Sequence, residues 1–258
     1  MPTTLSFEDH LAALDASGSR LVELAEKAGL DAPVPTCPAW AVDALLAHQA
    51  MVHRWATAHV RGEDPDGLPN QTDIRTDVSD LPAYFREGHA GLLQALRDAP
   101  ADLVAMTFLK DAPAPREFWG RRQAHETTIH MVDALAATLG RFPAAAEADL
   151  DPALAADGID ELLRGFFTRG RSKLFDGEEY VIAVEAGDVG RRWVVHVAER
   201  LTVAPDDDAA GADGAAATIT GSAAEVYLAL WNRGEEVDVA GRPHVLERWR
   251  AMQRVGWS

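Results

Sequence analysis

The sequence predicts a two-domain α+β protein: an all-α four-helix bundle over residues 1–145, then a smaller α+β domain over residues 155–258. Three observations predict it. Apolar residues recur at helical spacing through the first half, and Val-rich alternating stretches appear only in the second. Between them, residues 140–158 are rich in Ala, Pro and acid, as a linker with a short helix in it would be. At 258 residues and 47% apolar composition, the chain can bury a core in each half.

The elements follow in order. Leu11, Leu14, Leu21, Leu24 and Ala28 mark a first helix, ended by the turn-rich residues 31–38. A second, from about Val42 to Val60, turns Leu45, Leu46, Val52 and Trp55 inward. Residues 61–80, with Pro65, Gly67 and Pro69, read as a loop. A third helix covers residues 81–98, and Pro113 and Pro115 break the chain before a fourth, Phe118 to Leu139. Four helices with an apolar stripe each imply a bundle. In the second half, residues 180–185, 192–203, 217–220 and 237–240 read as strands of a small antiparallel sheet. Residues 205–214, with three consecutive Asp, form a solvated loop. Ser222 with Glu225 three residues on is a capping box, opening a helix that carries Val226, Leu228, Leu230 and Trp231. Pro243 to Met252 is a last helix, and there is no internal repeat.

Forty-one acidic residues against 24 basic ones give a formal charge of −17. That argues against nucleic acid, whose phosphates need clustered Lys and Arg, and against docking on an anionic membrane surface. An anionic small molecule would need a local Arg. Cys37 is the sole cysteine, so no intrachain disulfide forms and a reducing cytoplasm is the natural home. Cys37 itself reads as a small packed thiol rather than a nucleophile. Residues 1–14 carry Glu8, Asp9 and His10 without a long apolar run, unlike a signal peptide or anchor, and no stretch reaches membrane-spanning length without charges.

Chemistry concentrates in two histidine-rich stretches, 47–53 and 124–133, both on expected helices. Glu126 and His130 are four apart, about 40° round the axis, and share a face; His125 and His130, about 140° apart, do not. The pattern is therefore not the H-E-x-x-H of metalloproteases. One carboxylate and one imidazole make half a site, and a histidine from another helix completes the His₂Glu set that leaves one zinc position open. His48 and His53, also about 140° apart, are both candidates, and one of them points in. Asp133, on the face of His130, is a fourth ligand or a partner that orients an imidazole. Arg121 and Arg122, one turn before Glu126, read as solvated charges rather than anion partners. His53, His89, His125, His196 and His244 are structural or surface residues when not ligands. Trp40, Trp55, Trp119, Trp193 and Trp231 pack cores and the domain interface. Arg233, ending the last-but-one helix, either holds a substrate carboxylate bidentately or serves as a cation at a helix C-terminus.

Residues 37–48, with Cys37, Trp40 and His48, followed by Val52, His53 and Trp55, resemble the second helix of the mycothiol-dependent maleylpyruvate isomerase family, one of the DinB-like metal-binding bundles. His125-Glu126 through His130 to Asp133 resembles its fourth-helix motif, and Ser222 to Arg233 resembles its sterol-carrier-like C-terminal domain. The match runs nearly the whole chain in the right order. It implies His48, Glu126 and His130 as ligands, choosing His48 over His53, and mycothiol as the thiol cosubstrate. The Ala-rich, Lys-poor composition suits a high-GC actinobacterium. Two positions depart from the pattern: Ala41 stands where Ser or Thr usually caps the second helix, and Met131 where a basic residue is common.

The resemblance implies a metal-dependent thiol enzyme with a divalent cation, zinc being the first choice over nickel, manganese or iron, which share such ligands. A metal-activated thiolate would add to an electrophilic small molecule. As an isomerase, it would add to the double bond of a maleyl-type diacid and leave again after rotation; as an S-transferase, the thioether would stay. Arg233 would hold the carboxylate. Two rival functions are a metal hydrolase, for which no further unambiguous base is visible, and a non-enzymatic ligand carrier, against which the intact His48, Glu126 and His130 set argues.

Overall fold

The computed structural model describes residues 4–205 and 214–253. The acidic loop expected over residues 205–214 falls almost wholly outside them. The chain divides into two compact units. One is formed by Ser6–Thr107 with Pro113–Pro143, the other by the described residues of Met1–Leu5, Phe108–Ala112 and Ala144–Ser258.

The first unit is helical. Helix α1 (Phe7–Ala28) opens on a capping box of Ser6 and Asp9 and stops at Gly29, whose φ of 88° suits glycine. Helices α2 (Val42–Arg61), α4 (Leu81–Asp98) and α5 (Pro115–Leu139) match the expected segments, with Pro115 opening α5 rather than breaking it, because a first-turn proline has no amide bond to lose. The expected loop 61–80 contains one more helix, α3 (Gln71–Asp77), capped by Asn70 and Asp73. It buries Ile74 alone, so it has no apolar stripe to announce it. Leu14, Leu21, Leu45, Leu46, Phe85, Leu92 and Leu96 form the core. Helix α5 is buried at every position from Phe118 to Ala137, including two Arg, two His, Glu126 and Asp133. A helix buried all round is normally apolar. The charged groups on this one therefore need partners.

In the second unit the expected linker is mostly helix. After α6 (Ala145–Ala148), Asp151 caps the amides of Ala153 and Leu154, and Pro152 opens α7 (Pro152–Asp160). A π-helical turn, Glu161–Phe166, continues it. Five strands follow: β1 (Tyr180–Ala186), β2 (Arg191–Val197), β3 (Thr202–Val203), β4 (Ala217–Gly221) and β5 (Asp238–Gly241), in sheet order β3-β2-β1-β4-β5. The single strand expected over 192–203 is two, interrupted by a bend at residues 198–200. The sheet is mixed rather than antiparallel. β1 pairs antiparallel with β2, Val184 opposite Trp193, but parallel with β4, Val184 opposite Ile219. The stretch between β1 and β4 is long enough for a crossover, and alternation along a strand records its buried face, not its neighbour's direction. The Ser222–Glu225 capping box opens α8 (Ala223–Leu230) as expected, and α9 (Val245–Met252) closes the unit. No described helix is long and apolar enough to cross a membrane.

Candidate metal centre

Helix α2 begins without a side-chain cap, as Ala41 requires. The loop before it supplies the missing acceptors: Val42 N donates to the Ala32 carbonyl at 3.0 Å and Asp43 N to that of Leu30 at 2.9 Å. Turns closed by Cys37 N to Val34 O and Trp40 N to Cys37 O hold this loop against the helix start. Thr36, Cys37 and Trp40 are thereby fixed close to the first turns of α2, where His48 is buried.

Across from it, α5 presents Glu126 and His130 on one face. Glu126 Oε1 lies 3.6 Å from His48 Nε2 and 3.4 Å from His130 Nε2. Ligand atoms of all three fall within 4.8 Å of one another. Two donors bound to one tetrahedral zinc at 2.0–2.2 Å sit about 3.4 Å apart. The separations therefore fit a shared cation and exceed the usual 2.7–3.2 Å of a good hydrogen bond. Trp40 walls the group, its ring 4.9 Å from His48 and 5.8 Å from His130.

Each α5 candidate ligand is held from behind. His130 Nδ1 is 2.9 Å from Asp133 Oδ2; donating there, it presents Nε2 as the ligand atom. Asp133 accepts in turn from Thr36 Oγ1 at 2.6 Å and from the Cys37 thiol at 3.5 Å. Asp133 thus partners His130 and lies outside the group of three. Arg122 donates to Glu126 Oε2 at 2.9 Å, leaving Oε1 toward the histidines. The expectation of solvated Arg121 and Arg122 is corrected: both are buried, and the carboxylate four residues on offsets the cost of burying Arg122. Sequence reasoning also missed Thr36 and Trp40. Trp40 lay within the stretch of family resemblance and Thr36 immediately before it, beside Cys37.

Burial opposes charge at Glu126 most strongly, but His130, His48 and Arg122 outweigh it and hold the carboxyl well below its ordinary range. Burial likewise opposes a charged His130, yet Asp133 and Glu126 raise it to about 9. At His48 burial prevails and lowers the pKa. In the metal-free site a proton on His130 therefore occupies the place of a cation. Metal must expel that proton, which competes below about pH 9 and ceases to compete above it. Zinc affinity of the stripped protein should accordingly strengthen about tenfold per unit between pH 7 and 9. Competition with a chromogenic chelator across that range checks it; a flat profile would show His130 to be neutral before binding.

The helical unit buries its own core, so metal should add stability without being needed to fold. Chelation should lower the melting temperature by a few degrees, about 2–4 °C per kcal/mol lost at this chain length, and keep helical circular dichroism. Complete loss of that signal would instead mark a structural metal.

The other histidines stand apart. His53 lies within 2.9 Å of both Gln49 and Thr127, and His125 packs edge-on to His10. His196 is exposed, and His244 pairs with Glu247 on the surface. Arg233 is half-buried beyond the end of α8, after Asn232 in left-handed conformation (φ 62°). Its guanidinium donates to the Trp231 carbonyl at 2.8 Å.

Comparison with known proteins finds two domain families. Residues 11–135 match the mycothiol maleylpyruvate isomerase N-terminal domain, and residues 153–248 match the MDMPI C-terminal domain. Among solved structures, a mutant of the mycothiol-dependent maleylpyruvate isomerase is similar at 17% identity and a TM-score of 0.64, over 93% of this chain and 96% of that one. Another crystal structure of the mycothiol-dependent maleylpyruvate isomerase aligns at 17% identity and a TM-score of 0.62, with the same coverage. At that identity the likeness establishes a shared fold. No curated protein matches.

Proposed function

The chain belongs to the mycothiol maleylpyruvate isomerase family, and from that premise we propose that it is a mycothiol-dependent cis–trans isomerase using one divalent cation, first choice zinc, held by His48, Glu126 and His130. Residues 1–145 would act as the metal-binding domain and residues 155–258 as the domain that holds substrate. The observation that carries the reading is the convergence of two imidazoles and a carboxylate at ligand spacing, with Asp133 and Arg122 already orienting them.

A divalent cation bound by this set would acidify a thiol so that thiolate prevails near neutral pH. The chain's own residues do the rest. Three donors would hold the cation and leave room for the thiol. Asp133 keeps the His130 proton on Nδ1, Arg122 restrains Glu126, and Trp40 excludes water from one flank. A thiolate that adds to the double bond of a maleyl-type diacid turns it into a single bond; rotation and loss of the thiolate give the trans diacid and return the thiol. The dianion needs a local cation in so acidic a protein, and Arg233 is the proposed carboxylate clamp.

Incubation of the zinc-loaded protein with mycothiol and maleylpyruvate tests this. The trans product should accumulate over many turnovers while free thiol stays constant. Stoichiometric loss of thiol into a thioether would make the protein an S-transferase instead, and absence of both products would contradict the reading.

A further inference from the structure

His53 takes no part in the ligand set, yet it is fully buried and forms one corner of a polar triangle. Its Nε2 lies 2.9 Å from Gln49 Nε2 and 2.9 Å from Thr127 Oγ1, and Gln49 donates to the same hydroxyl at 3.1 Å. Gln49 directly follows the ligand His48 on α2, and Thr127 directly follows the ligand Glu126 on α5. Consecutive helical residues are separated by about 1.5 Å of rise and 100° of turn. The triangle therefore sits at the height of the ligands, round the side of each helix.

The layer extends further. The His53 ring lies 5.3 Å from the rings of Phe85 and His89 on α4. His89 in turn rests against Gly18 of α1, where any Cβ would collide with its ring. One buried layer thus touches α1, α2, α4 and α5 beside the metal centre.

We propose that the Gln49–His53–Thr127 triangle is the positioning device of the metal centre, holding α2 and α5 in the one axial register that brings His48 Nε2 to Glu126 Oε1 and His130 Nε2. This rests on the metal-centre reading above. Apolar contacts between helices are non-directional and tolerate small slides. Hydrogen bonds confine their heavy atoms to a window of about 2.7–3.2 Å, and a metal site tolerates ligand displacements of only about 0.2 Å. A ligand pair split between two helices therefore needs a directional tie, and a neighbouring apolar residue of the same volume would not supply it. His53 and Thr127 act through the backbones that carry the ligands and touch neither metal nor substrate.

Thr127→Val removes the hydroxyl at nearly constant shape, Thr127→Ser retains it, and Gln49→Met breaks the triangle from the other helix. Zinc affinity of the purified full-length proteins would be measured by chelator competition, alongside the melting temperature of each metal-free form. Thr127→Val and Gln49→Met should weaken zinc binding about 10- to 100-fold, the range for partners behind a ligand, with Thr127→Ser close to wild type. A lower metal-free melting temperature with zinc affinity within about twofold of wild type would mean packing alone and would overturn the proposal. His48→Ala is the control that separates the two readings. Zinc binding by the wild type that His48→Ala abolishes, but Thr127→Val and Gln49→Met leave intact, overturns positioning only. A wild type that binds no zinc overturns the metal centre and the positioning role together.

Discussion

Replacing His48 by alanine is expected to reduce zinc content from one equivalent to near zero, lower zinc affinity more than about 100-fold, and abolish isomerisation. Even a partner that only orients a ligand is worth 10- to 100-fold in metal affinity, so a lost ligand exceeds that range. His48 is the cleanest ligand to remove. Glu126→Gln would also break the buried ion pair with Arg122, and breaking such a pair costs about 3–5 kcal/mol by itself. A fall in activity there would confound metal loss with misfolding. His48 packs beside Trp40, and its loss breaks no ion pair between ionised groups at neutral pH. His48→Ala should therefore retain the helical circular dichroism of the metal-free wild type. Full activity in a His48→Ala protein that has lost its zinc would remove the metal from the mechanism.

The second large effect is expected at Arg233. Arg233→Lys keeps the charge and loses the planar fork that meets both oxygens of a carboxylate. One charge-assisted hydrogen bond is worth about 1.5–3 kcal/mol, so kcat/KM for a dicarboxylate should fall roughly 10- to 150-fold. Zinc content should stay at the wild-type value, since Arg233 stands outside the ligand group. Comparing the diacid with its monoester sharpens the test: the monoester should lose less on substitution, because one of the two negative charges is already gone. Equal turnover of the diacid by both proteins would leave Arg233 only the role its contact with the Trp231 carbonyl already gives it, a residue that finishes the turn after α8.

Much of this site was legible in the sequence because helical geometry is simple. The four-residue spacing from Glu126 to His130 places them on one face, and Asp133 three further on extends it; the structure adds that Asp133 binds Nδ1 and so directs Nε2 toward the cluster. The choice between His48 and His53 was not legible in periodicity. Both are buried on α2, on different faces, and nothing in the spacing says which face meets α5's ligands; the resemblance supplied that choice. Arg122 was misjudged for a related reason. The spacing to Glu126 is in the sequence, but burial of a helix on every side is a tertiary property, and α5 lacks the apolar stripe from which burial is ordinarily inferred. Helix α3 was passed over, and α7 was anticipated only as a short helix within a linker, because their signals were caps rather than stripes. Asn70 with Asp73 opens α3, and Asp151 with Pro152 opens α7, in segments whose Pro, Gly and acid content suggested loop and linker. The parallel pairing of β1 with β4 lies beyond any reading of alternation, since both directions bury the same side chains.

The central claim is that one cation sits among His48, Glu126 and His130, and anomalous diffraction at the zinc edge from zinc-loaded crystals tests it most directly. The account predicts a single strong peak bonded to His48 Nε2, His130 Nε2 and Glu126 Oε1, about 2.0–2.2 Å from each, with His130 Nδ1 still on Asp133. A peak held by other residues, or a fully loaded protein with none between α2 and α5, would contradict it.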